Sequence, residues 1–123
     1  MKQRFEIPYK PDSVNGHWNI ARGGKRKILS DEGREFRDKV QWFLKSKGYE
    51  IFKGRLKVKV NLFFADNRIR DIDNYFKSIF DCLKGFLFVD DDQICELEAT
   101  KKTGAEKDCF TIEVEELNKN GKF

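Results

Sequence analysis

The chain has 123 residues, 25 Lys and Arg against 21 Asp and Glu, a net charge of +4 and 39% hydrophobic residues. That length suits one domain over residues 1–123 with its own core, for which twelve Phe, two Trp and three Tyr supply the bulk. There is no apolar run of roughly 18 to 20 residues to cross a bilayer, no apolar leader after Met1, and neither CxxC nor Cys/His ligand spacing among Cys82, Cys95 and Cys109. Together these features predict a cytoplasmic protein with buried, reduced thiols and exclude a membrane protein, a disulfide scaffold and a zinc finger.

Residues 3–8 alternate, with Phe5 and Ile7 on one side, and stop at Pro8, as a short edge strand does. A turn-rich loop comes next and carries the lone histidine, His17, readable as a proton shuttle or as an ordinary surface residue. Arg22, Lys25, Arg26 and Lys27 lie around two glycines, a flexible basic stretch suited to phosphate oxygens; it lacks the GxxxxGK[ST] pattern of a nucleotide-cradling loop. Ser30 is a suitable N-cap, and Phe36, Val40, Phe43 and Leu44 at helical spacing predict a helix over 31–47, with Gly48 as its C-terminal cap. From Arg55 to Phe64 the alternation is strict, Leu56, Val58, Val60, Leu62 and Phe64 facing one way and Arg55, Lys57 and Lys59 the other. The basic side suits either a phosphate backbone or solubility of an exposed sheet face.

A second helix is expected to begin near Asp71, with Ile72, Tyr75, Phe76, Ile79, Phe80 and Leu83 as its apolar face and Gly85 at its end. Cys95 to Thr100 and Phe110 to Glu115 alternate as two further strands, and the polar link 101–107 reads as a hairpin loop. Residues 118–123 read as a frayed tail. The expected fold is α+β, in the order β-α-β-α-β-β, with two helices packed on a small mixed sheet.

Charge is unevenly spread. Residues 1–70 hold 18 Lys and Arg against 8 Asp and Glu, and residues 71–123 hold 7 against 13. Such a split suits a polyanion held by one part of the molecule and a metal held by carboxylates in another, and it also arises from solvated faces. The carboxylates gather at Asp71 and Asp73, at the mouth of the second helix, and at Asp90-Asp91-Asp92 beyond its end. Two or three such oxygens satisfy magnesium, which keeps several waters; the plainer reading is helix capping and a solvated turn. Lys77, four residues after Asp73, shares its side of the helix and is placed to pair with Asp73 or with a substrate phosphate. An EF-hand is excluded because Phe76 stands where that loop requires glycine. A phosphatase using an Asp-x-Asp pair would need the first Asp at a strand end and a larger domain.

The motifs Pro11-x-Ser13-x-Asn15-x-x-Trp18, Ser30-x-x-Gly33 into Phe36-Arg37, Arg70-Asp71-x-Asp73-Asn74-x-x-Lys77 and Asp90-Asp91-x-Gln93 occur in the order in which they occur in the RusA-like Holliday junction resolvases, or crossover junction endodeoxyribonucleases. The resemblance spans most of the chain. It departs at Asp12, where a second proline is common, and at Asp92, which opens the register of the third acid. The resemblance implies a homodimeric endonuclease that uses Mg2+ or Mn2+, without an organic cofactor, to nick two strands of a four-way junction symmetrically in DNA recombination and repair. It implies Asp71, Asp73 and Asp91 as metal-binding and catalytic residues, with Asp90 or Asp92 as register alternatives, and Lys77 as a further catalytic residue. Arg22, Lys25, Arg26, Lys27, Arg68 and Arg70 are then the candidates for holding branched DNA, which would draw the protein to the nucleoid. The competing readings are a non-catalytic branched-DNA-binding module and a nuclease with broader DNA substrates.

Overall fold

The computed structural model describes residues 2–13, 18–20 and 27–117, with 18–20 and 27–29 as backbone alone. Strand β1 (Lys2–Ile7) is followed by a two-stranded ribbon, β2 (Trp18–Ile20) and β3 (Lys27–Leu29), then by helix α1 (Asp31–Lys47) and strand β4 (Leu56–Phe63). A 3-10 turn (Ile72–Tyr75) leads into helix α2 (Phe76–Leu83), and a second 3-10 turn (Asp91–Gln93) leads into β5 (Ile94–Lys102), before β6 (Cys109–Glu116). The ribbon is an element that residue alternation did not reveal: its strands are three residues long, too short for a period of two to register.

The main sheet has the order β1-β6-β4-β5, antiparallel except for the β4–β5 pair. Parallel neighbours require a crossover, and α2 supplies it. The expected β5–β6 hairpin is therefore corrected: β4 lies between the two strands, and 103–108 bridge over it. Alternation reports which face of a strand is apolar and says nothing of its neighbour. As an edge strand, β5 leaves Leu97 42% exposed, and Cys95 is exposed too. Buried thiols hold for Cys82 only; Cys109 is half-buried, and all three are free.

The core lies between the helices and one sheet face. Every second side chain of β4, from Leu56 to Leu62, is buried, against Phe36, Val40 and Leu44 of α1 and Ile79, Cys82 and Leu83 of α2. α1 has the expected boundaries: the Ser30 hydroxyl accepts the Gly33 N–H at 2.9 Å, and Gly48 closes the helix at φ 76°, a conformation glycine adopts without a Cβ penalty. α2 differs from expectation. Its first turn is 3-10 through Tyr75, and Ile72, Phe76 and Phe80 are only half-buried, Phe76 and Phe80 stacking on its flank at 6.0 Å. Ser78, buried in α2, donates its hydroxyl to the Asp12 carbonyl, tying the Pro11-x-Ser13 segment to the helix. Among the described residues no helix is long and apolar enough to cross a membrane.

Candidate active site

The approach to α2 is held at its entrance. Arg70 donates from both terminal nitrogens to the Asp66 carboxylate, at 2.7 and 3.0 Å, and its guanidinium lies 4.1 Å from the Phe64 ring centroid, leaving the side chain 9% exposed. Planar, two-pronged pairing of this kind is the strong form of a charge-assisted hydrogen bond. These bonds from Arg70, aided by the Arg68 N–H, hold the Asp66 carboxyl down at about 2. Lys101 of β5 donates to the Arg70 carbonyl, so the backbone immediately before Asp71 is anchored from the sheet as well.

Asp71 then caps the 3-10 turn in an extended conformation, its carbonyl accepting the Asn74 N–H at 3.1 Å while its side chain makes no capping bond. Asp71 and Asp73 are both exposed. Lys77 stands in the first turn of α2 and pairs with neither the entrance nor Asp73: its ammonium lies 3.7 Å from Asp81, one turn further along. Asp81 is absent from the sequence-based expectation; its spacing four residues beyond Lys77 was the signal available.

The chain returns through Gly85, at φ 81°, whose N–H reaches the Phe88 carbonyl, and the Phe52 N–H reaches Leu87. Gln93 fastens the acidic turn to the rest of the fold. Its side-chain oxygen accepts the N–H groups of Val89 and Asp90 at 2.7 and 2.9 Å, and its amide donates to the Phe52 and Gly54 carbonyls at 3.0 and 2.9 Å. Asp90 is taken up locally: it accepts the Asp91 N–H and pairs with Lys84 at 3.1 Å, and both, Lys84 first, lower its carboxyl. Asp92 is exposed. Asp91 is half-buried, and its Oδ1 is enclosed without a hydrogen-bond partner, as is Oδ2 of Asp81. Burial first, then the charge of Asp81, pushes the Asp91 carboxyl up, against the opposing pull of Lys77 and Lys84.

Enclosed carboxylate oxygens without partners cost free energy, more so with a like charge nearby. A hard divalent cation, which takes oxygen ligands, fits the unpaired oxygen of Asp91. The structure brings Asp91, Asp81 and Lys77 within one another's field and leaves Asp71 and Asp73 at the helix entrance; among the described residues no three acid, imidazole or thiol side chains converge on one point. Of the expected DNA contacts, Arg68 is 80% exposed, whereas Arg70 is occupied by Asp66. Arg22, Lys25 and Arg26 lie outside the described residues, as do His17 and the tail 118–123, and Lys27 opens β3 with only its backbone described.

Fold and site together define a class: a small α+β protein in which an acid-bearing 3-10 turn leads into a short helix with a lysine and an acid, and a fastened acidic turn follows it. A family profile for Endodeoxyribonuclease RusA matches residues 8–115. A crossover junction endodeoxyribonuclease rusA of Enterobacteria phage HK97 is 37% identical over 91 residues, 73% of this chain and 73% of that protein. The crossover junction endodeoxyribonuclease RusA of Escherichia coli (strain K12) is 32% identical over 97 residues, 77% of this chain and 78% of that protein. The chain belongs to the RusA endodeoxyribonuclease family.

Proposed function

We propose that this protein is a structure-specific endodeoxyribonuclease that resolves Holliday junctions, acting as one domain and as a homodimer whose paired sites match the two-fold symmetry of the junction. One observation carries the site assignment: the Gln93-fastened turn presents the half-buried Asp91, one oxygen unpaired, beside Lys77, while Asp90 is used up in capping. This supports Asp91 over Asp90 as the third acid, with Asp71 and Asp73 as its partners toward a divalent metal, Mg2+ or Mn2+. When bound, the metal would act as a Lewis acid toward the scissile phosphate and make water more acidic.

The protein's own groups do the rest. The two exposed acids on the anchored 3-10 turn would fix the direction from which the phosphate is approached. The Lys77 ammonium, mostly exposed, would meet the charge that develops on the phosphate oxygens. Arg68 and the cations of residues 22–27 would hold the DNA backbone, and the junction would be read by shape more than by base sequence.

Incubation of the purified protein with a synthetic four-way junction in magnesium tests this. Paired, symmetric nicks are expected, and Asp71→Asn should abolish cutting while leaving junction binding. Junctions left intact in both magnesium and manganese would sink the resolvase reading and leave a branched-DNA-binding module. Equal cutting of linear duplex would broaden it to a general nuclease.

A further inference from the structure

We infer that Asp81 is a positioning residue for Lys77, holding the lysine ammonium on the side of α2 that faces Asp91; this rests on the resolvase reading for its consequence in catalysis. Lys77 is 61% exposed, on a long flexible stem, and has an acid four residues away on either side, Asp73 and Asp81. It takes the second, at 3.7 Å. That choice turns the ammonium down the helix, away from the entrance and toward the returning turn.

Stability does not account for this acid. An ion pair between a well-exposed lysine and a carboxylate contributes little to folding. The other oxygen of Asp81, Oδ2, is enclosed with no hydrogen-bond partner, and so is Oδ1 of Asp91. The Asp81 side chain is only 20% exposed and sits one residue before the buried Cys82. An acid that encloses an unpaired oxygen and gains only a loose ion pair is a net cost to the fold, the pattern of residues retained for a working geometry. The charged groups near it are Lys77 from its own helix, Lys84 just past the end of that helix, and Asp91 from the turn.

Three measurements on Asp81→Asn and Asp81→Glu, beside wild type and Asp73→Asn, decide the matter. In junction cleavage, Asp81→Asn should lower kcat by less than the roughly 100- to 1,000-fold that removing a charge-stabilising group itself costs, with KM nearly unchanged. Asp81→Glu should recover part of the loss. In EDTA, Asp81→Asn should melt no lower than wild type, because a like charge beside Asp91 has been removed. In the metal-free protein, the NMR shift of the Lys77 Nζ should move in Asp81→Asn and stay in Asp73→Asn. Wild-type kcat in Asp81→Asn, a lowered melting temperature, or a Lys77 signal that tracks Asp73 would each overturn the inference. A wild-type protein that cuts no junction would overturn the resolvase reading instead, with the melting and NMR measurements still deciding which acid holds Lys77.

Discussion

Three adjacent aspartates at 90–92 carry three different environments, and the difference lies in what their neighbours leave free. Asp90 is occupied by a backbone N–H and by Lys84, Asp92 faces solvent, and Asp91 is turned inward without a partner for Oδ1. Asp91→Asn is therefore expected to reduce junction cleavage strongly at near-constant melting temperature, as loss of the proposed metal-holding carboxylate would. Asp90→Asn should mainly loosen the turn, and Asp92→Asn should cut close to wild type; steady-state cleavage paired with thermal melting separates the three. Asp66 gives a pH signature. Its carboxyl is held at about 2 in the folded state, below its ordinary value, so the stability it contributes is present above about pH 4 and is lost as pH falls through about 2. Melting temperature measured from pH 5 to 2 should fall less steeply in Asp66→Asn than in wild type.

Among the elements, the 3-10 turn, α2 and the acidic turn behave as one unit because both of its ends are tied to the rest of the fold. Arg70 and Lys101 hold the entrance, and Gln93 and Phe52 hold the return. Gln93→Ala removes two acceptances and two donations, leaving backbone groups of Val89, Asp90, Phe52 and Gly54 without those partners. A loss of about 1 to 3 kcal/mol in urea unfolding is expected, together with slower cleavage, since the turn that presents Asp91 is released. Ser30→Ala is the contrast. It removes the N-cap of α1, a helix that carries none of the proposed catalytic residues, and should cost about 1 kcal/mol with cleavage kinetics unchanged.

Across the whole molecule, the basic first half and acidic second half meet in the sheet. Lys57 lies opposite Glu96 and Glu115, and Lys59 opposite Glu98 and Glu113; Lys2 pairs with Glu113 at 2.9 Å and Lys57 with Glu98 at 3.4 Å. This face is a mixed-charge lattice, so it offers little to a phosphate backbone. Neutralising Lys57 and Lys59 together should leave the slope of log Kd for a junction against log salt nearly unchanged. Neutralising Arg22, Lys25 and Arg26 should instead make it shallower by roughly one unit for each phosphate that is no longer neutralised. Element types were legible in the residues: α1 with both caps, the strict alternation of β4, and the apolar rows of β6 all arise from local periodicity and propensity. The DxDNxxK and DDxQ spacings made the acids legible as a group. Strand neighbours, the pairing of Lys77 with Asp81 in place of Asp73, the withdrawal of Arg70 onto Asp66 and Phe64, and the separate duties of Asp90 and Asp91 were not. Most of these depend on which distant segment packs alongside, as Gln93 on Phe52 or β4 between β5 and β6, and a one-dimensional pattern does not encode which residues far apart in the chain will meet.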